Sequence, residues 1–261
     1  MQYETLLLNN RDGAGIITLN RPEKLNALST TLFAEFDRAL NVFEDDESVR
    51  VLVATGAGER AFSAGADIHE MTEMSPEQAR QRDAQRTDWT WHLAAYRKPT
   101  IGVINGLAYG GGALMSSIFD IRIGCERTSF RFLAASYGRV NSSWTLPLVV
   151  GWPVAKELLF TGRLVEAEEA YRIGLLNRLV PSAQLMTTAL EISRMIASND
   201  AAAVQALREI MVRDIGMTWR EMQHNEAELV ARMVKSPPAA ESFSDFLGRK
   251  KKKSKSGEGR E

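Results

Sequence analysis

The chain has a single cysteine, Cys125, in 261 residues, so no intramolecular disulfide can form and a disulfide-stapled secreted scaffold is excluded. A reducing, cytoplasmic setting is expected. Histidine is scarce as well: His69, His92 and His224 form no metal-ligand spacing with one another or with Cys125, so no metal site is expected. Neither sign of charge is in excess, with 32 Lys and Arg against 33 Asp and Glu. The basic residues nevertheless gather at the end, where 249–261 carries a net +5 and leaves the body near −6. A body of that sign is a poor nucleic-acid binder, and the tail reads as a solvated, disordered end. Long apolar runs are also missing. The longest uncharged stretch, Thr100 to Phe119, is interrupted by Gly102, Gly106, Gly110, Gly111, Gly112, Asn105, Ser116 and Ser117, so it reads as buried protein and no membrane association is expected. Met1 to Asn10 lacks the basic and apolar regions of a secretory signal. No Walker lysine follows a glycine loop and no G-x-S-x-G occurs, which removes the P-loop and α/β-hydrolase readings. Gly56-Ala57-Gly58-Glu59-Arg60-Ala61 satisfies a loose dinucleotide pattern, yet no helix opens directly after it.

Strand and helix patterns alternate to about residue 180. Tyr3 to Leu8 and Gly15 to Asn20 flank Arg11-Asp12-Gly13 as a hairpin. Ser29 can cap a helix that buries Leu32, Phe33, Phe36, Leu40 and Phe43. Buried strands are expected at Val49 to Thr55 and Thr100 to Asn105, with a polar helix over Pro76 to Tyr96 between them. An apolar helix follows the triple glycine, then short strands near Ile121 to Gly124 and Ser129 to Phe132. Helices resume at Pro153 to Phe160 and Glu166 to Tyr171, with a last short strand at Asn177 to Val180. From Ala183 onward the pattern is helical, with breaks near Asn199, Gly216 and Ser236-Pro237-Pro238.

Two segments carry the chemistry: Ser63-Ala64-Gly65-Ala66-Asp67, and Asn105-Gly106 running to Gly110-Gly111-Gly112. Each puts small residues just before a helix start, where unpaired backbone N–H groups and the positive end of the dipole face outward. Two such ends can converge on one oxygen and stabilise an enolate or tetrahedral oxyanion. The same glycines would also serve tight turns and close packing, and spacing alone leaves both readings open.

Asn20-Arg21-Pro22 with Asn26-Ala27-Leu28, Ala61-Phe62-Ser63-Ala64-Gly65-Ala66-Asp67-Ile68, Lys98-Pro99 with Asn105-Gly106, Gly110-Gly111-Gly112, Asp120, and Glu157-Leu158-Leu159-Phe160-Thr161-Gly162 with Ala170 and Gly174-Leu175 occur in an order that resembles the enoyl-CoA hydratase/isomerase (crotonase) superfamily. The match runs over nearly the whole chain. It implies an α/β fold: a spiral of ββα units over 1–199, a C-terminal helical region over 200–248, and the basic tail 249–261. It implies self-association as trimers or dimers of trimers, and an acyl-CoA thioester ligand with coenzyme A as part of the substrate and no other cofactor. By the same resemblance the N–H groups of Ala66 and Gly111 form an oxyanion hole. Ala64, Ala66, Asp67, Ile68, His69, Gly111, Leu114 and Ala134 would then line the thioester and CoA site.

The chain departs from that pattern at the proton-transfer positions. Hydratases of the family carry a glutamate two residues after the triple glycine and a second twenty residues further on; Leu114 and Ala134 stand there instead. Neither side chain can transfer a proton, so hydration by a glutamate pair is not expected. No Asp or Glu occurs between Arg127 and Lys156, and Tyr137, Asn141, Ser142 and Ser143 are the polar candidates in that stretch. Arg131 and Arg139 could hold a second carboxylate on an acyl chain or simply make surface ion pairs. His69 could act as a base or sit at the pocket rim, with Glu70 and Glu73 on the same short helix. Trp89, Trp91, Met71, Met74 and Met115 read as pocket wall and core, and Glu157 as structural. Two functions follow: a hydratase/isomerase-type enzyme with unusual proton-transfer groups, or a catalytically silent acyl-CoA binder.

Overall fold

The computed structural model describes residues 2–235 together with Pro238 and Glu241. The expected tail 249–261 and most of 236–248, with the break at Ser236-Pro237, lie outside the described residues. Strands β1 (Leu6–Arg11) and β2 (Ala14–Leu19) make the expected hairpin, closed by Asp12 and Gly13 at φ 56° and 79°, the left-handed pair that a tight two-residue turn requires. Ser29 Oγ accepts the Leu32 N–H at 3.2 Å and starts α1 (Thr30–Asp45), whose Leu32, Phe33, Phe36, Leu40 and Phe43 are all buried. Three repeating turns follow. The first is β3 (Val51–Gly56) and β4 (Ala61–Ser63), then α2 (Ile68–Glu73) and α3 (Pro76–Ala94). The second is β5 (Thr100–Ile104), β6 (Leu107–Tyr109) and α4 (Gly111–Ile118). The third is β7 (Ile121–Gly124), β8 (Ser129–Arg131), α5 (Leu146–Val150) and α6 (Trp152–Thr161). The chain then runs through β9 (Val165–Glu166), α7 (Ala167–Arg172), β10 (Arg178–Leu179), α8 (Leu185–Ala197), α9 (Ala201–Arg213) and α10 (Trp219–Met233).

The first strand of each turn joins one sheet and the second joins another. The larger sheet has the order β1-β2-β3-β5-β7-β10, parallel beyond the first hairpin; the smaller has β4-β6-β8-β9, parallel except at β9. This is an α/β spiral of ββα turns followed by helices, as the resemblance implied. Sequence periodicity misses β4, β6 and β9 because two or three residues are too few to alternate, and it misses α5, a single turn of Leu-Pro-Leu-Val-Val. The polar helix stops at Ala94, two residues short of the expectation, and Tyr96 turns inward to donate its hydroxyl to the Leu40 carbonyl at 3.1 Å.

One core fills the space between the two sheets, α1, α3 and α4, with Phe36, Phe62, Phe119 and Phe130 fully buried. A second lies on the other face of the larger sheet, where Leu185, Ala189 and Leu190 of α8 cover Val51, Val53, Ile101, Val103 and Ile123. Two asparagines fasten the connections. Asn105 Nδ2 donates to the Gly56 and Gly58 carbonyls (2.9 and 2.8 Å), and Asn26 Nδ2 donates to those of Ala57 and Ala61 (3.1 and 2.9 Å). These bonds occupy the glycine loop after β3, and β4 rather than a helix follows it, so the loose dinucleotide pattern has no structural counterpart.

Arg208 of α9, only 9% exposed, ties the C-terminal helices to this core. Its Nε donates to Asp120 Oδ2 at 2.8 Å, and its other nitrogens donate to the carbonyls of Tyr96 and Ala94 (3.1 Å to the latter) just past and at the end of α3. A cation there meets the negative end of the helix dipole.

Candidate functional site

Strands β4 and β6 pair in parallel, with Ala61 opposite Leu107 and Ser63 opposite Ala108. Their carboxyl ends therefore release Ala64–Asp67 and Gly110–Gly112 side by side, the place where open α/β sheets hold ligands. Gly65 makes the approach possible. It has φ +94°, and a Cβ on it would lie 2.6 Å from the Tyr109 oxygen and 2.9 Å from the Gly111 nitrogen. A short bridge turns the next residue outward: Leu28 donates to the Gly65 oxygen at 2.7 Å and accepts from the Asp67 N–H at 3.2 Å. In that parallel pattern the Ala66 N–H points away from Leu28, and among the described residues it meets no acceptor. Gly111 is the first residue of α4, so its N–H has no acceptor within the helix and none elsewhere among the described residues. A Cβ on Gly111 would lie 3.6 Å from the Ala66 nitrogen, so the two free N–H groups belong to neighbouring backbone segments, the second at the amino end of α4.

Asp67, the residue after the first donor, is fully engaged. Its carboxylate caps α2 by accepting the Glu70 N–H at 3.3 Å and takes the Arg21 Nη2 at 2.8 Å. Burial would raise its pKa, but the bond from Arg21, the Glu70 amide and the charges of Arg21 and Lys24 hold it below the ordinary carboxylate value. A depressed folded pKa contributes stability above the unfolded value, and that stability is lost as pH falls through the folded one. Asp67→Asn leaves Arg21, whose side chain is 15% exposed, without its counter-charge. The expected loss is about 3 kcal/mol at pH 7, shrinking toward pH 3, checked by urea titration at both pH values. An equal loss at both would show that the ion pair is not its source.

A cavity of about 310 Å³ lies between α3, α4 and residues 140–144. Leu114, 5% exposed, forms its floor one turn of α4 beyond Gly111. From α3 come Arg86, Thr87, Thr90 and Trp91, at the spacing of a single helix face. Val140, Asn141, Ser143 and Trp144 close the remaining side. A buried chain of hydrogen bonds holds that loop against α4. The Ser117 hydroxyl reaches the Leu114 carbonyl at 2.7 Å and the Thr145 hydroxyl at 2.7 Å, and Thr145 Oγ1 donates to the Ser142 carbonyl at 3.4 Å. Ser142, fully buried at φ 60°, donates to Asn141 Oδ1 at 3.2 Å, which leaves the Asn141 amide hydrogens for the cavity. The lining contains no carboxylate, imidazole, lysine or thiol. A wider cavity of about 1320 Å³ elsewhere is lined by residues of β8, β9, α7 and β10 and the loops beside them, with none from α4.

The remaining sequence candidates fall in several places. Ala64 is half-buried beside the amide pair, Ile68 is 63% exposed, and His69 is exposed on α2. Ala134 opens a turn at 135–137, its carbonyl accepting the N–H groups of Tyr137 (3.1 Å) and Arg139 (2.9 Å), so it supports the loop that carries Asn141 and Ser143. Tyr137 is 68% exposed and lies outside the 310 Å³ cavity, as do Arg131, which donates to the Gly162 carbonyl, and the exposed Arg139. Trp91 is cavity wall, whereas Trp89 and Met115 are core. Met74 lines a separate cavity of about 460 Å³ with Glu70 and Glu73. Glu157 pairs with Arg163 at 2.7 Å on the surface. Sequence reasoning overlooked Arg86, Thr87 and Thr90, because a helix polar on nearly every side gives no periodic signal to mark one polar face as a cavity wall.

A ββα spiral that presents two free backbone donors at adjacent strand ends, with helices packed after it, defines the class of α/β protein to which the chain belongs. The chain belongs to the enoyl-CoA hydratase/isomerase family, which it matches over residues 9–256. It is 32% identical to the short-chain-enoyl-CoA hydratase of Clostridium acetobutylicum, over 96% of this chain and 97% of that protein. With the crotonyl-CoA hydratase of Syntrophomonas wolfei it shares 33% identity over 82% of this chain and 85% of that protein. The crystal structure of enoyl-CoA hydratase from Bacillus anthracis is similar at a TM-score of 0.89 and 30% identity, covering 94% of this chain and 97% of the other. Among the described residues no helix is long and apolar enough to cross a membrane, and no cluster of three or more His, Cys, Asp or Glu side chains could hold a metal ion.

Proposed function

We propose that this protein is an acyl-CoA enzyme of hydratase/isomerase type that polarises the thioester carbonyl between the Ala66 and Gly111 N–H groups and moves protons without a glutamate pair. The observation that supports this reading is the close approach of two segments with unpartnered amides, Ala66 and Gly111, with Leu114 one turn along α4 lining a cavity whose wall holds no carboxylate. Charge developing on the thioester oxygen would be met by donors already in place, the arrangement that lowers an enolate or tetrahedral barrier most. The acyl chain would run over Leu114 toward Trp91 and Trp144, with Ala64 and the start of α2 at Ile68 and His69 beside the CoA moiety. Asn141 and Ser143 are the polar groups facing the chain, suited to ordering water or a substrate oxygen; an unactivated amide or hydroxyl is itself a weak base. Tyr137 stands one turn away on the same loop. Leu114 and Ala134 occupy the positions where the resemblance puts the two glutamates.

We place the protein in a reducing, cytoplasmic setting, as a trimer or dimer of trimers with 1–199 as the spiral core and 200–248 as the helical region that reaches neighbouring subunits. It would need no cofactor beyond the coenzyme A of its substrate, and no nucleic acid. The apolar floor also favours a second reading, a catalytically silent acyl-CoA binder, because Leu114 offers an acyl chain a surface and no chemistry.

The test is a mass-spectrometric time course of the purified protein with saturated, 2-enoyl, 3-enoyl and dicarboxylic acyl-CoA thioesters. Gain of water, loss of carbon dioxide, release of CoA or an isomeric shift in retention from any of them is the expected result. A retained complex with no product from every thioester would overturn the enzyme reading in favour of the silent binder.

A further inference from the structure

Arg86 lines the 310 Å³ cavity as its single charged residue. Arg86 is half-buried as a residue, and its side chain forms no ion pair or hydrogen bond among the described residues. The contrast with Arg82, one helical turn earlier, is direct: Arg82 is paired with Asp83 at 3.1 Å and faces the neighbouring cavity with Glu70 and Glu73. Nothing in the wall around Arg86 offers a counter-charge, because Thr87, Thr90, Asn141 and Ser143 are neutral and Leu114, Val140, Trp91 and Trp144 are apolar. A partly buried cation without an acidic partner is available to an anion arriving with the ligand. Leu114, Trp91, Val140 and Trp144 offer apolar surface to methylene groups in the same cavity, and a guanidinium fork fits a carboxylate.

Resting on the acyl-CoA reading above, we propose that Arg86 selects acyl-CoA thioesters whose short acyl chain ends in a carboxylate, with that carboxylate on the Arg86 guanidinium and the thioester oxygen on the Ala66 and Gly111 amides. The role that the sequence offered to Arg131 or Arg139 thus passes to a residue on α3. Arg131 spends its Nε on the Gly162 carbonyl, and Arg139 is exposed outside the cavity.

Isothermal titration of the full chain with glutaryl-CoA and valeryl-CoA, which differ in the terminal carboxylate against a methyl group, tests this. Glutaryl-CoA should bind at least tenfold more tightly. Arg86→Gln should weaken glutaryl-CoA at least tenfold more than valeryl-CoA, and Arg86→Lys should restore part of the difference; thermal melts of both variants confirm folding. Valeryl-CoA binding as tightly as glutaryl-CoA to the parent, or an equal loss of both in Arg86→Gln, would overturn the role of Arg86 and leave the acyl-CoA reading standing. Binding of neither thioester would overturn both.

Discussion

Leu114→Glu combined with Ala134→Glu is expected to raise crotonyl-CoA hydration at least a hundredfold above the parent chain. Two positioned carboxylates, one activating water and one delivering the α-proton, typically contribute 10²–10⁴-fold each to such a reaction. The scaffold already holds the remaining requirement, the two free amides, so the variant adds proton transfer to a prepared oxygen site. Leu114 lies three residues after Gly111, about 5 Å along the helix, and its side chain faces the cavity. A carboxylate there leaves a buried apolar floor, a cost of a few kcal/mol, which the unpaired Arg86 in the same cavity offsets. Ala134 opens the turn that leads into the Asn141–Trp144 loop and is half-buried, so a carboxylate there keeps access to water. Each single variant should fall far short of the pair, because proton donor and acceptor act as a unit. The measurement is loss of the enoyl chromophore, with thermal melts of all four proteins. A folded double variant that binds crotonyl-CoA yet hydrates it no faster would refute the assignment of these two positions.

Gly65→Ala should have the opposite effect, reducing turnover of any acyl-CoA substrate at least a hundredfold, or thioester affinity to a similar degree if the protein only binds. The added methyl would meet the Tyr109 oxygen and the Gly111 nitrogen well inside contact distance, forcing the two strand ends apart. Separating the donors removes one from the oxygen, and loss of a single such donor costs about 10²–10³ in rate. Left-handed strain adds ~1–3 kcal/mol of stability loss, so the activity effect must be separated from it. Gly216→Ala provides the control: Gly216 has φ +87° in the loop between α9 and α10, with nothing within 4 Å of its missing Cβ. It should lose stability through the strain alone and keep its activity. Kinetics and melting curves of both variants decide the matter, and a Gly65→Ala protein as active as Gly216→Ala would remove the crowding argument.

The sequence announced the elements that bury many apolar side chains. The Asp12-Gly13 hairpin, the Ser29-capped α1 and the apolar α4 lie where turn chemistry and periodicity put them. Short strands such as β4 and β6 gave no periodic signal, yet they decide where Gly65 and Gly111 meet. The site is therefore built from the least legible pieces of the fold. Small residues before helix starts hinted at free amides, but only the register of β4 on β6 and the Leu28 bridge bring two of them to one point. Arg86 was invisible for another reason: being unpaired is a property of surroundings drawn from three segments, and no local pattern encodes it.

The Leu28–Ala66 bridge and the Gly65–Gly111 contact join stretches of chain that are remote in sequence. Contacts of that kind close large loops, and the chain entropy of closure must be overcome before they stabilise anything. The two donors thus acquire their geometry only when the N-terminal hairpin, the first helical turn and the second are all assembled. A ligand that needs both donors recognises the finished molecule and none of its fragments. Its binding would draw the whole population toward the native state, so thioester supply would set how long the protein survives as well as what it does.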